Sequence, residues 1–194
     1  VTTVLISDNV QVSRFAAEAL VEIGKAAVPR LITVLKESNV KDTRIITLNT
    51  LYQISIPSDS AQQAIEDVVS KSNDDPYLLE SSIYALGTSS PDIERAVQTL
   101  IKVPSDSSFI ARIAVARTLG DIGRGFPAST KKLLELTKDM NNRVQLNAIE
   151  SLAKVASKSD IDVISRLRNF CEPTSQPELR RVALAAIKQV EART

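Results

Sequence analysis

The chain is 194 residues long, 43% hydrophobic and 24% charged, with a formal net charge of +1. That balance excludes a disordered chain, and its apolar runs, such as 26–28 and 182–187, fall far short of the roughly 20 residues a bilayer requires. With no histidine and one cysteine, Cys171, there is no internal disulfide, and a zinc or Cys/His catalytic site has no ligands to draw on.

Aromatics amount to 4% with no Trp, while Ala, Leu, Ile and Val are plentiful, so the expected core is one of thin helices packed closely. In chain order, 1–6 reads as the last turn of a helix, and Ser7, Asp8 and Asn9 offer a cap to the next one over 10–23. On a helical period Val12, Ala16, Ala17, Ala19, Leu20 and Ile23 share one broad, alanine-lined face. Gly24 stops that helix, and 26–37 follows with Pro29 in its first turns. Next come 41–54, a break and recap at Pro57, Ser58 and Asp59, and 61–70. Asn73 to Pro76 form a turn and cap before 77–86, and Ser89, Ser90 and Pro91 lead into 92–102. Pro104, Ser105 and Asp106 precede 108–122, and a GRGFP break separates this from 129–140. Asn141 and Asn142 cap 143–156, Ser159 and Asp160 cap 161–170, and 178–191 follows Pro173 and Pro177. All five glycines fall near predicted helix ends, where a left-handed residue terminates a helix without steric cost. Cys171, on the apolar side of its helix, reads as a small core residue.

The pattern around Leu20 recurs: a polar or Arg position seven before, small residues three and four before, and an aliphatic residue three after. It returns at Leu51, Leu86, Leu119, Leu152 and Ile187, at intervals of 31, 35, 33, 33 and 35 residues. Such a period is that of a helix-turn-helix repeat stacked into a solenoid. The stretches VSRFAAEALVEIG-KAAVPRLITVLKE, FIARIAVARTLGDIG and ELRRVALAAIKQV resemble HEAT repeats. They are similar in particular to the short, alanine-rich subtype named after phycobilisome lyases, with its motif V-R-x-x-A-A-x-A-L-G-x-I-G. The resemblance covers essentially the whole chain. It implies an all-α fold, an α-α superhelix forming a right-handed solenoid of about five and a half helical hairpins. It also implies one HEAT-like domain over 1–194, expected to be a segment of a longer protein because the chain opens in mid-repeat. Arg44, Arg112 and Arg180 match the motif's arginine, which in the family braces neighbouring repeats against an acidic turn residue. Ser13, Leu79 and Gln145 replace it elsewhere, which interrupts such a ladder.

In HEAT-like solenoids the alanine-rich helix of each pair lines the concave side. An outward stripe would then carry Ile45, Asn49, Tyr84, Ile113, Arg117, Leu146, Glu150 and Arg181, an apolar track flanked by charge and suited to a peptide or helix. If the phase is off by one position, the apolar members are core instead. Residues 1–104 carry 9 basic and 13 acidic groups, and 105–194 carry 15 and 10. The basic half, with Arg112, Arg117, Arg143, Arg180 and Arg181, admits nucleic-acid binding as an alternative. The low total charge and the lack of interleaved aromatics disfavour it. No Gly-rich phosphate loop is present, since GDIGRG follows no strand, and the carboxylates Asp74, Asp75, Asp160 and Asp162 sit where helix capping accounts for them. The sequence therefore predicts a protein-protein interaction scaffold that is not an enzyme, with no cofactor, no metal and no membrane span. A protein or peptide is expected on the concave face, other domains at the array ends, and a cytoplasmic location. A phycobilin lyase-like or chromophore-handling subunit is the alternative that the repeat subtype implies.

Overall fold

Five of the six anchor side chains, Leu20, Leu51, Leu86, Leu119 and Leu152, are at most 3% exposed. The sixth, Ile187, is half-buried. Each such leucine stabilises the packed state by about 2 kcal/mol relative to an exposed one, so the recurring position is also the recurring buried ridge. The computed structural model describes residues 10–193, with side chains from residue 12 onward. The expected helical turn over 1–6 and its Ser7, Asp8 and Asn9 cap lie outside the described residues.

The described residues form eleven α-helices and no strand. These are α1 Val10–Ile23, α2 Val28–Glu37, α3 Lys41–Ile54, α4 Asp59–Lys71, α5 Pro76–Ser89 and α6 Ile93–Ile101, then α7 Phe109–Ile122, α8 Pro127–Leu136, α9 Asn142–Val155, α10 Ile161–Asn169 and α11 Pro177–Glu191. None is long and apolar enough to cross a membrane. Capping follows the sequence except at α10, where the expected cap from Ser159 and Asp160 does not form: Asp160 makes no cap bond, and its Oδ2 accepts instead from the N–H and hydroxyl of Ser157. Side chains of Ser58, Asp75, Ser108 and Asn141 accept from backbone N–H groups in the first turns of α4, α5, α7 and α9, satisfying donors that the helix leaves orphaned.

Three further local expectations are corrected. Gly24, at φ 64°, ends α1 but opens a short 3-10 helix, Gly24–Ala27, so α2 begins at Val28 and not at 26. Gly87 and Gly120 lie inside α5 and α7 instead of ending them. At Gly120 the reason is packing: an added Cβ would stand 2.6 Å from Ser151 Oγ, so only glycine lets α7 and α9 approach this closely. The third concerns α8, which stops at Leu136 while 137–139 turn away, placing Asp139 where Arg112 reaches it.

The fold is an α-α solenoid of helical pairs, and the chain divides into two compact units, Val1–Thr99 and Leu100–Thr194. In the first, the anchor helices α1, α3 and α5 stack in a row, and α2 packs on α4 in a second row behind them. Gln62, wholly buried, joins the second row to the start of α6: its side-chain amide donates to Asp92 O (2.9 Å) and accepts from Asp92 N (3.1 Å). Arg95 adds a two-pronged pair with Glu66 at 2.6 to 2.9 Å. In the second unit α7, α9 and α11 form the anchor row, and α8 packs on α10.

In α1 the sequence expected Val12, Ala19 and Ile23 on a packed face together with Ala16 and Leu20. Only Ala16 and Leu20 are buried, whereas Val12 is 38% and Ile23 49% exposed, and Ala19 is exposed as well. The apolar face is broader than the contact that α3 makes with it.

Candidate functional site

The predicted stripe divides between the two units. In the first, Ile45 is half-buried on α3, and Asn49 one turn later is exposed. Tyr84 on α5 is half-buried beside the 44% exposed Tyr52, their ring centroids 6.1 Å apart and the planes tilted by 56°. That tilted arrangement is a favoured one for aromatic pairs. The Thr88 hydroxyl donates to Tyr52 O at 3.4 Å, fastening the end of α5 to α3. Sequence reasoning missed Tyr52; its signal is an aromatic residue one past the anchor leucine, where other anchor helices place Val, Gly, Ala or Lys.

In the second unit Ile113 is 7% exposed and belongs to the core of α7, Leu146 is half-buried, and Arg117, Glu150 and Arg181 are exposed. The Arg117 guanidinium donates to Asn147 Oδ1 at 2.6 Å, and Lys154 pairs with Asp121 at 2.7 Å, so two polar links tie α7 to α9. Between α9 and α11 the surface opens into a cleft of about 320 Å³ lined by Glu150, Lys154, Arg181, Ala185, Ala186 and Gln189, with Ala153 and Val182 beneath. Five of these, Glu150, Lys154, Arg181, Ala185 and Gln189, are the outward positions of consecutive anchor helices. Short side chains at 153, 185 and 186 make the floor, and one acid and two bases make the walls. That composition holds an extended chain or helix edge and orients it by charge.

A larger cleft of about 890 Å³ lies between the first turns of α8 and α10. Arg124 and Lys131 stand on one side of it, Asp160 and Asp162 on the other, with Phe126 and Ile161 exposed between them in part. It contains none of the predicted stripe.

Several of the basic residues considered for nucleic acid are engaged within the protein. Arg112 donates from Nε and Nη2 to the two oxygens of Asp139, at 2.6 and 2.9 Å, and from Nη1 to Ser107 O. Burial disfavours the Asp139 carboxylate, but the bonds from Arg112 and from Asn141 N–H outweigh it and hold the carboxyl below its ordinary range. Arg143 lies over the Phe109 ring at 6.0 Å. Of the motif arginines, Arg112 alone makes an ion pair among the described residues; Arg44 leaves its Nε buried without a hydrogen-bond partner.

Two further basic residues donate to carbonyls outside their own helices. Lys132 on α8, 8% exposed, donates to Val103 O just past α6, and Arg166 on α10 donates to Thr137 Oγ1 and O at the end of α8. Arg166 thereby brings a cation to the carbonyl end of α8, where the helix dipole and unpaired carbonyls favour it. The common spacing of Lys132 and Arg166, 34 residues for donor and acceptor alike, is the signal by which the sequence shows them. Cys171 is half-buried, and burial pushes its thiol pKa up, away from the reactive thiolate. Among the described residues no three His, Cys, Asp or Glu side chains come together as a metal site.

No protein-family model matches the chain, and no curated protein matches it in sequence. Among solved structures, the chain is similar to a crystallised engineered protein at 22% identity and a TM-score of 0.62, over 97% of this chain and 94% of that one. This is a likeness of fold alone. A second similar structure is the complex of CpcE and CpcF of phycocyanin lyase from Nostoc sp. PCC7120, at 19% identity and a TM-score of 0.47, over 95% of this chain and 94% of that one. The expectation that the chain is not an enzyme is corrected at this point, because one of the similar structures is that of a lyase. A lack of catalytic patterns in the sequence does not exclude enzymatic work by such an array.

Proposed function

We propose that the chain is a protein-binding scaffold of the HEAT type, and that the cleft between α9 and α11 takes a segment of its partner. The observation that supports this reading is the cleft's lining: Glu150, Lys154, Arg181, Ala185 and Gln189 stand together on it, all at outward positions of successive anchor helices. A groove of this kind comes ready-made, because Ile149 and Leu152 of α9 and Ala183 and Val190 of α11 are buried in the core and fix the two helices beside it. Preorganisation lowers the entropic cost of capturing a flexible segment. Glu150 facing Arg181 and Lys154 selects a segment with both charge signs and sets its direction.

Selection from a displayed peptide library against the full chain tests this. Enriched peptides should bind the chain and lose at least about tenfold in affinity on Arg181→Glu or Ala185→Trp, equivalent to about 1.4 kcal/mol. They should be insensitive to Lys138→Glu outside the cleft. Peptides that bind equally well to all variants would overturn the assignment.

A further inference from the structure

The larger cleft, at the first turns of α8 and α10, has walls of opposite charge that do not neutralise each other. Arg124 and Lys131 stand exposed on one wall and Asp162 on the other. Among the described residues none of the three takes part in an ion pair within 4 Å, although all three line the same space. The opposed charges are therefore held apart, with room between them. Asp160, also on the acidic wall, already accepts from the Ser157 N–H and hydroxyl at 2.7 and 2.9 Å. Asp162 is the carboxylate left for a partner.

The separation is built into the packing. At their far ends α8 and α10 are joined, where the Arg166 guanidinium donates to Thr137 Oγ1 and O at 2.9 and 3.0 Å. At their first turns they are not: among the described residues no hydrogen bond or ion pair crosses from 124–131 to 157–163. The two helices thus make a cleft closed at one end and open at the other. Its floor is apolar, with Val155 and Val163 at 8% and 1% exposure and Leu134 half-buried. At its mouth Ile161, the first residue of α10, is 76% exposed, so covering it is favourable.

We propose that this cleft binds an extended segment of a partner protein in which an aliphatic residue lies between an acidic and a basic one. The aliphatic side chain sits on Leu134, Val155 and Val163, and the segment covers part of Ile161. Its acid meets Arg124 and Lys131, and its base meets Asp162. A segment with charge of one sign brings a like-charge contact to one wall, so the paired charges are the basis of selection. The cleft shares no residue with the α9–α11 groove and does not depend on that groove's role.

The test selects displayed linear peptides of random sequence on the full chain carrying Arg181→Glu, which impairs the other groove. Counter-selection uses the double variant Lys131→Glu, Asp162→Lys. Enriched peptides should carry an acidic and a basic residue on either side of a Leu, Ile or Val. By fluorescence anisotropy they should bind the unaltered chain saturably and less tightly as salt rises. Binding should be at least tenfold weaker after Lys131→Glu, Asp162→Lys or Ile161→Asp. Asp162→Lys makes both walls basic, and it should turn the preference to the same peptide with its base replaced by Glu. All these positions are exposed, and thermal unfolding by circular dichroism no lower than that of the unaltered chain shows that each variant folds. No enrichment, enriched peptides without the paired charges, or binding indifferent to Lys131→Glu and Asp162→Lys overturns the proposal. So does a concentration-dependent dimer in sedimentation that Lys131→Glu dissolves, since the occupant is then a second copy of the chain.

Discussion

Arg112 and Asp139 lie 27 residues apart in sequence and meet through two parallel hydrogen bonds, with side chains 16% and 8% exposed. The planar fork of the guanidinium matches the carboxylate, and Arg112 also donates to Ser107 O, so one side chain joins the turn before α7 to the turn before α9. Removal of either partner strands the other in a mostly buried place. Arg112→Met should therefore cost about 3 kcal/mol in unfolding free energy by urea titration. Arg44, at the equivalent place in α3, has a buried Nε without a partner. Arg44→Met should be neutral or stabilising by up to about 1 kcal/mol. Equal losses for both variants would mean that the pairing is not what stabilises the repeat.

Acid should act on the same bond. The Asp139 and Asp75 carboxyls are both held below their ordinary range: burial opposes ionisation, but hydrogen bonds from Arg112 and Asn141 N–H to Asp139, and from Lys41 and Leu78 N–H to Asp75, prevail. A carboxyl with a depressed folded pKa contributes stability above its unfolded pKa, near 4, and loses it as pH falls through the folded value. Unfolding free energy should thus be level near neutrality and decline below about pH 4. Asp139→Asn should be destabilised at pH 7, with a shallower decline, so that the two curves converge in acid. Parallel curves for the two proteins would exclude Asp139 as a source of the pH dependence.

Ser55 ends α3 in the left-handed region, at φ 52°, the one non-glycine residue so placed among those described. Its side chain is exposed, so nothing is gained there from a Cβ. Ser55→Gly should raise stability by about 0.5 to 1 kcal/mol, read as a higher urea midpoint at unchanged slope. A drop in midpoint would show that chain entropy outweighs the relief of strain.

Gly120 and Ser151 should behave as a coupled pair. Gly120→Ala drives a methyl against Ser151 and should cost about 1 to 3 kcal/mol. Ser151→Gly makes room, and the double variant should recover at least about 0.5 kcal/mol of the sum of the single losses. Strict additivity in the double-mutant cycle would separate the two residues energetically.

What the sequence determined by itself was the repeat and its polarity. The anchor leucines at intervals near 33, the Ser, Asp and Asn caps, and the alanines that let helices approach are local or periodic features. Propensity, capping and one-faced burial decide them before any long-range contact forms. The tertiary structure decided which outward positions share a cleft, because Glu150 and Arg181 are 31 residues apart and meet only through the packing of α11 on α9. It also decided that Ile113 is core, that Arg112 is paired while Arg44 is not, and that Arg166 caps α8. Each depends on how far one helix is displaced along its neighbour, which periodicity leaves free.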